Sequence, residues 1–399
     1  MSFFSLLHKK SESVLLIDIG SASIAGTYAH ISHGYKPELY YTARVPIRSH
    51  ENINMRKDME RALTELTKVL AQEGARVFAK ETGNGSVDRI VVSVASPWQE
   101  THTHIERATH KKPFRFTRHL LNMMVEKSVS AMPGRTQATA MVIATRLNGY
   151  EMINPFGKMA YDAEVYVILS SISTDVADSI RTVLRKSFHS LHIEIVAFAP
   201  VMFLVLRDLY TEYKDFIIMD VSGEATDILI VKKTVLLEDV SVSFGLNDLR
   251  RVAIESGIDS TAQDEPLRAM DKTNLFDPDH AGNFAKKIQT ARDAWVQGIS
   301  DAFLTVRSQY ALPRDMLLLA DKSAHDFLTH MLRSEDFRPL GLSDDLLNVH
   351  YVDPGKLAPY VTHHKNAEGD TFISILSLYV AKGLKEPLNE GLPVVHLPQ

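Results

Sequence analysis

The sequence predicts an α/β protein built from two related lobes that face one cleft. Two distant stretches, residues 14–17 and 216–219, are continuous apolar runs, as expected for strands covered on both faces. Each run leads into an aspartate and a tight turn of small and hydroxylated residues, and a second strand follows each turn. A repeat at this distance indicates two related half-molecules rather than a solenoid of short repeats.

Composition sets the limits of this interpretation. The chain has 399 residues, of which 45% are hydrophobic, enough for two or three cored domains of about 150 residues each. No cysteine occurs, which excludes disulfides, cysteine-zinc sites and cysteine nucleophiles. The formal net charge of −5 argues against a general nucleic-acid-binding surface, so we expect no nucleic-acid partner.

The hydropathy pattern predicts a cytoplasmic protein. No apolar run approaches the roughly 20 residues that span a bilayer, and the apolar start of the chain is too short for a signal peptide. At the N-terminus, Phe3, Phe4, Leu6 and Leu7 could make a weak contact with the inner face of the cell membrane. A frayed terminus is the alternative.

In the first half of the chain, periodic apolar residues and turn signals predict most elements. Met59, Leu63, Leu66 and Leu70 have the 3–4 spacing of a helix over 55–79. Thr117 is expected to cap a helix over 118–132. The other elements predicted here are strands over 24–29, 90–94, 101–108, 141–147 and 163–168, and a helix over 175–187.

In the second half, the opening pattern returns and is followed by helices. Residues 256–283 are polar and interrupted by proline and glycine, which predicts a loop-rich segment. The remaining predicted elements are strands over 228–231 and 316–320 and helices over 286–310, 324–333 and 371–383.

The two turns carry the residues that could bind a ligand in the cleft. Backbone N–H groups in such turns converge on an anion, and serine or threonine hydroxyls add donors to a phosphate. Asp18 and Asp220 end their strands and are placed to hold Mg²⁺ through water if the turns face each other. Two tight turns without any ligand are the alternative interpretation.

Residues 16–23 and 219–227 have the form of paired phosphate hairpins, and residues 147–158 include Asn154-Pro155-Phe156-Gly157. The hairpins resemble those of the actin-like ATPases. Residues 147–158 resemble a segment of the subdomain that is inserted in the bacterial cell-division family FtsA. Residues 196–200, which lead into the second hairpin, also resemble the pattern of that family. The resemblance covers about residues 14–250 well. It implies an actin-like, ribonuclease H-like fold of two lobes with an FtsA-type inserted subdomain.

The resemblance also implies domain boundaries. The first actin-like lobe would take residues 1–95 and 190–205, with the inserted subdomain at 96–189. The second lobe would take residues 206–385, including a helical subdomain at 250–312. Residues 386–399 are proline-rich, and we expect them to form a loose tail.

By resemblance, the cleft would bind ATP and Mg²⁺. Asp18 and Asp220 would hold Mg²⁺ through water, and Ala320, Asp321, Lys322 and Ser323 occupy the place of the adenosine loop. The phosphate-binding positions would be Gly20, Ser21, Ser23, Ser222, Gly223, Thr226, Asp227 and Gly245.

Several positions depart from the family pattern. Ser222 and Glu224 stand where the second hairpin usually has glycine, and the adenosine loop has lost its glycines. A glutamate beside a phosphate adds a like charge and weakens binding. We therefore expect a pseudo-ATPase or a weak ATPase, with little or no turnover and no catalytic residue.

The resemblance implies a scaffold of cell division that polymerises and links the tubulin-like division protein FtsZ to the membrane or to other division proteins. One alternative is a pilus-assembly scaffold of the PilM kind, in which a partner's N-terminal peptide docks in a groove between subdomains. Another is a small-molecule kinase of the same fold, which would need an intact nucleotide site and a general-base aspartate.

Overall fold

The computed structural model describes residues 11–48, 54–130, 137–188, 192–255, 283–308, 310–321, 324–335, 337, 347–385 and 394–396. Within these ranges no helix has the length and apolar character that crossing a bilayer requires. The predicted membrane contact at Phe3, Phe4, Leu6 and Leu7 lies outside the described residues, as does the predicted loop up to residue 282.

The predicted strands and helices are present close to their predicted positions, except that the helix predicted over 55–79 is divided, and further elements accompany them. In chain order, the strands are β1 (Ser11–Ile19), β2 (Ser23–Ser32), β3 (Glu38–Pro46), β4 (Arg89–Val94), β5 (Gln99–Arg115), β6 (Gln137–Leu147), β7 (Tyr150–Glu151), β8 (Met159–Ile172), β9 (His192–Ala197), β10 (Phe216–Val221), β11 (Thr226–Lys232), β12 (Val235–Val242), β13 (Asp315–Ala320), β14 (Asn348–Tyr351), β15 (Thr362–Asn366) and β16 (Val394–His396). The helices are α1 (Met55–Val69), α2 (Ala75–Thr82), α3 (Arg118–Ser130), α4 (Thr174–Phe188), α5 (Phe198–Leu209), α6 (Leu246–Glu255), α7 (Asn283–Arg307), α8 (His325–Ser334), α9 (Pro354–Leu357) and α10 (Thr371–Lys385). A π-helical turn at Leu70–Gly74 joins α1 to α2.

The first sheet is buried on both faces. Its strand order is β15-β3-β2-β1-β4-β9. Along β1, Leu15 and Ile17 pack into one core with α1, α2 and α4, whereas Val14 and Leu16 pack into a second core on the other face. Because both faces are covered, the strand needs an uninterrupted apolar run, which is the pattern seen in the sequence.

The second sheet repeats the first. Its order, β12-β11-β10-β13-β14, matches β3-β2-β1-β4-β9, with three antiparallel strands followed by two parallel ones. The hairpins also correspond, because Ile19 pairs with Ile24 in one and Val221 pairs with Thr226 in the other. The predicted internal repeat is therefore present, and Asp18 and Asp220 occupy equivalent positions.

A shared core joins the two sheets. Helices α5 and α10 lie between them, and Phe203 and Leu376 pack there with Leu16 of β1 and Ile218 of β10. Helices α6, α7 and α8 cover the far face of the second sheet. The first turns after β1 and β10 therefore face each other across a cleft.

A third, smaller sheet begins with β5, which follows β4 of the first sheet along the chain. Its order is β16-β6-β8-β5, with β7 paired to β6, and α3 packs on one face. Helix α3 begins after Thr117, whose Oγ1 accepts a hydrogen bond of 3.2 Å from the Leu120 N–H, as predicted for its cap.

The chain's assignment to lobes differs from the sequence-based boundaries in three places. Helix α4, inside the predicted insertion, packs on α1 instead, where Ser179 donates to Glu60. Strand β15 and helix α10, expected in the second lobe, return to the first sheet, because the largely apolar α10 is buried only between the two sheets. Within the tail expected to be loose, Val394–His396 pair with β6, whose edge would otherwise be open.

Candidate functional site

The two predicted phosphate hairpins are in direct contact. The Ser21 and Ser222 hydroxyl oxygens lie 2.9 Å apart, so one donates a hydrogen bond to the other. The backbone N–H of Glu224 also donates to the Ser21 hydroxyl, at 2.9 Å. The Ser21 hydroxyl oxygen therefore occupies the position in which an anion would otherwise accept a hydrogen bond from the Glu224 N–H.

Glycines allow the loops to pack backbone against backbone. A Cβ atom on Gly223 would lie 2.6 Å from the Ala22 nitrogen, closer than real Cβ contacts. A Cβ on Gly245 would lie 2.4 Å from the carbonyl oxygen of Gly223. Both glycines are therefore required by the close approach of three loops, which explains their presence without a ligand.

Several backbone amides of the predicted phosphate-binding loops already have hydrogen-bond partners within the protein. The Gly20 N–H donates to the Ser23 carbonyl at 3.1 Å, and the Ser222 N–H donates to the Ala225 carbonyl at 3.0 Å. The Gly245 N–H donates to the Asp248 carboxylate at 2.8 Å. An incoming phosphate would have to replace these bonds rather than satisfy free donors.

Asp18 and Asp220 lie behind the hairpins and are both almost fully buried. Asp18 accepts a hydrogen bond of 2.8 Å from the Ser93 hydroxyl. Burial raises the pKa of Asp18 to about 6, although the Arg44 guanidinium opposes this rise. Burial, followed by the neighbouring Asp227 and Asp18 carboxyls, raises the pKa of Asp220 well above its ordinary value.

Arg44 on β3 is a cation that lines both cleft cavities described below, and sequence analysis did not identify it. Its Nε and Nη2 atoms donate to one carboxylate oxygen of Asp370, at 2.8 and 2.6 Å, and its Nη1 donates to the Ser23 hydroxyl at 2.6 Å. Burial lowers the pKa of Arg44, but the carboxylates of Asp370 and Asp18 outweigh it and leave the pKa raised. Asp370 also caps α10, where it accepts from the Ile373 N–H.

The adenosine loop is only partly described. Ala320 ends β13, and its carbonyl accepts a hydrogen bond of 3.0 Å from the Tyr351 hydroxyl. Asp321 accepts from the Arg250 guanidinium at 3.3 Å. The predicted positions Lys322 and Ser323 lie outside the described residues.

Two predicted phosphate-binding residues are engaged elsewhere. The Thr226 hydroxyl donates to the Phe244 carbonyl at 2.8 Å and accepts from the Trp295 indole N–H at 2.9 Å. Asp227 is buried on β11, and its Oδ1 has no hydrogen-bond partner among the described residues. Neither side chain lines the cleft cavities described below, since Thr226 is bonded within the second lobe and Asp227 faces Ser96 and Ser241.

Glu224, which was expected to repel phosphate, has a structural role. Its carboxylate pairs with Arg251 at 3.1 Å and accepts from the Asn247 amide at 2.7 Å. Both partners lie on α6. The glutamate therefore ties the second hairpin to the following helix, and its charge is compensated there.

Two adjacent cavities lie between the lobes. The larger, with a volume of about 440 Å³, lies between β3, the end of β13 and the start of α10, and we call it the cleft cavity. The smaller, of about 30 Å³, lies beside Asp18 and Asp220, and we call it the inner chamber. Four residues, Ser23, Arg44, Asp321 and Phe372, line both.

This arrangement does not fit ATP and Mg²⁺. The inner chamber has the volume of about one water molecule, whereas Mg²⁺ between Asp18 and Asp220 would retain several waters. Among the described residues, no three histidine, aspartate or glutamate side chains are grouped so that they could hold a metal ion. The hairpins would have to separate before a triphosphate could enter.

Comparisons with known proteins support the fold. No known protein family and no curated protein matches the sequence. Among solved structures, a chain of the PilM-PilN type IV pilus biogenesis complex is 14% identical with a TM-score of 0.56, over 95% of this chain and 100% of that one. This protein has the fold of the actin-like ATPases. The comparison does not single out the FtsA family.

Two other solved structures are more distant. A Bacteroides thetaiotaomicron protein with actin-like ATPase fold and unknown function is 11% identical, with a TM-score of 0.41 over 95% of this chain and 99% of that one. The ethanolamine utilization protein EutJ from Carboxydothermus hydrogenoformans is 12% identical, with a TM-score of 0.42 over 94% of this chain and 91% of that one.

Proposed function

We propose that this protein is an actin-like scaffold that acts through protein contacts and does not turn over nucleotide. The observation that carries the proposal is the contact between the two hairpins. The Ser21 hydroxyl accepts the Glu224 N–H and lies against Ser222, so the phosphate cradle is satisfied by the protein itself. An actin-like fold that is closed in this way retains its two lobes as a rigid support for partners.

The partner class that we favour is an assembly protein of a pilus-type machine. The likeness to a chain of the PilM-PilN complex extends over nearly the whole of both chains, which supports a role as one member of such a complex. In this proposal the chain is cytoplasmic and reaches the membrane through its partner.

Cell division remains the second candidate, because residues 147–158 resemble a segment of the FtsA family. In the structure, Phe156 lies 6.2 Å from the Phe116 ring and stacks under the Arg118 guanidinium at 4.5 Å. These contacts close the end of the third sheet. The segment therefore supports the type of inserted subdomain. It gives less support to FtsZ as the partner or to self-polymerisation.

A small-molecule kinase is the least supported of the three functions. Phosphoryl transfer needs a nucleotide held with its terminal phosphate towards an acceptor and a base. Here the space for the phosphates is closed by Ser21 and Gly223.

Calorimetric titration with ATP tests the first half of the proposal. We expect no binding up to millimolar ATP, with or without Mg²⁺, by a protein whose circular dichroism shows it folded. Micromolar binding that requires Mg²⁺ and disappears when Asp18→Ala and Asp220→Ala are combined would overturn it.

Capture of a chosen partner tests the second half. The tagged chain is mixed in separate experiments with two candidate partners from the same genome. One is the N-terminal peptide of a pilus-assembly protein, and the other is FtsZ. We expect saturable binding of the pilus-assembly peptide alone. Binding of FtsZ alone would transfer the protein to cell division, and binding of neither would reject both assignments.

A further inference from the structure

The cleft cavity has the size of a small-molecule site. Its volume of about 440 Å³ falls within the roughly 300–1,000 Å³ of known ligand pockets. It is lined from both lobes, by Thr42 and Pro46 on one side and by Tyr351 and Pro354 on the other. A ligand held here would touch both halves of the protein at once.

Carboxyl groups outnumber cationic groups in the lining of the two cavities. Asp321, Glu368 and Asp370 line the cleft cavity, and Asp18 and Asp220 line the inner chamber. An ionised carboxylate is a hydrogen-bond acceptor only, and a cation bound beside Asp220 would favour its ionised form over the protonated form that burial favours.

The nearby donors are largely committed. The guanidinium of Arg44 donates to Asp370 and Ser23. The guanidinium of Arg250 donates to Asp321. Five carboxyl groups therefore stand against two guanidinium groups, of which Arg44 is directed at Asp370 and Ser23, and Arg250 retains an unpartnered Nε among the described residues.

One buried acceptor has no partner. Asp220 is 2% exposed, and its Oδ1 accepts no hydrogen bond within the part of the chain that the structure describes. This side chain borders the inner chamber. A chamber of about 30 Å³ can take one group the size of a water molecule, and the group that suits Asp220 is a donor.

We propose that the cleft cavity binds a small aliphatic polyamine, with one ammonium group in the inner chamber at Asp220. An ammonium group has three donors and no acceptor, which complements an acceptor-rich site. A second ammonium group of the same ligand meets Asp321 or Glu368 in the cleft cavity. The methylene chain between them lies along Phe372 and Tyr351, since both side chains line the cavity.

The polyamine replaces the nucleotide as the ligand that spans the two lobes. It contacts Ser23 and Thr42 on the first lobe and Asp321 and Tyr351 on the second. An anionic ligand has no equivalent opportunity, because Arg44 is already bound to Asp370. The inference does not depend on the identity of the protein partner.

Isothermal titration with spermidine at physiological salt tests the proposal. We expect one saturable site on the full-length protein and no measurable site for 1,4-butanediol, which has hydroxyl groups in place of ammonium groups. Asp220→Asn should weaken spermidine binding at least tenfold. ATP should not compete.

Two further variants make the result decisive. Glu65→Gln removes the same charge from an exposed position on α1 and should leave spermidine binding unchanged. Asp321→Asn, on the cleft wall, should weaken binding and serves if Asp220→Asn does not fold. Absence of a saturable site, or equal weakening by Glu65→Gln, would overturn the proposal.

An ATP site found in the same experiments would refute the proposed scaffold function separately. If ATP binds and spermidine does not, both ideas fail. If spermidine binds as expected and ATP also binds elsewhere, the polyamine site stands. Only the proposal that the protein functions without a nucleotide is then refuted.

Discussion

The hydroxyl groups of Ser21 and Ser222 lie 2.9 Å apart, although 201 positions separate them in the chain. They lie in the turns of two copies of one hairpin, one position out of register with each other, so the contact joins the two halves of an internal repeat. In an actin-like fold this is the place where a phosphate chain would separate the halves. Here the protein's own hydroxyl groups make the connection, which suggests that closure does not require a ligand.

Replacing these serines should loosen the cleft. Ser21→Ala removes the acceptor of the Glu224 N–H as well as the partner of Ser222. We expect the free energy of unfolding to fall by about 1–2 kcal/mol, since a half-buried donor loses its partner. Urea unfolding measures this effect.

A double-mutant cycle separates the hydroxyl contact from other effects. Ser21→Ala combined with Ser222→Ala should show a coupling of roughly 0.5–1 kcal/mol. Ser130→Ala, at an exposed hydroxyl on α3, should change stability by less than about 0.5 kcal/mol. Strict additivity of the two cleft variants would mean that the hydroxyls do not hold the hairpins together.

Gly223→Ala should force the hairpins apart. The new Cβ would lie 2.6 Å from the Ala22 nitrogen, and overpacking of this kind costs roughly 1–3 kcal/mol. Hydrogen exchange should show the Glu224 amide losing protection. The control is Gly383→Ala in α10, where a Cβ meets nothing within 4 Å, and which should stabilise by up to about 1 kcal/mol. Unchanged exchange at Glu224 would contradict the close contact.

Local patterns in the sequence predicted much of this fold. The apolar runs of β1 and β10 mark strands covered on both faces, and their aspartates and small turns mark the repeat. These signals are local, since they depend on a few neighbouring residues. The facing hairpins follow from them once the repeat is recognised.

Long-range pairing left no such signal. Arg44 and Asp370 are 326 positions apart, and neither lies in a distinctive motif. Glu224 looked repulsive beside a phosphate, but its partner Arg251 could be identified only from the packing of α6. The return of α10 to the first sheet was likewise missed, because an apolar helix does not indicate which sheet covers it.

Breaking the pair between Arg44 and Asp370 should destabilise the lobe interface. Arg44→Met leaves the Asp370 carboxylate, which is 12% exposed, without its partner at 2.6 Å. We expect a loss of roughly 2–4 kcal/mol in the free energy of unfolding, measured in urea, because a largely buried charge is left uncompensated.

The matched control for Arg44 is an exposed ion pair. Arg107 is 66% exposed and pairs with Glu164 at 3.0 Å. Arg107→Met should cost at most about 1 kcal/mol, because solvent screens exposed charges. If the two variants were equally mild, the Arg44 pair would not contribute to the closed cleft.

Asp239, a partly buried residue whose Oδ1 is enclosed, makes stability depend on pH. Burial, followed by the neighbouring Asp227, raises the pKa of Asp239 well above its ordinary value. The folded protein then holds a proton that the unfolded chain releases near pH 4, so stability falls as pH rises from about 4 towards the folded pKa, by up to about 1.4 kcal/mol per pH unit. Asp239→Asn should make this decline shallower in urea unfolding between pH 5 and 8, with the remainder due to Asp18 and Asp220, whereas the exposed Glu65→Gln should leave it intact. Parallel pH profiles for Asp239→Asn and the unmodified protein would show that the Asp239 carboxyl is ionised in the folded state.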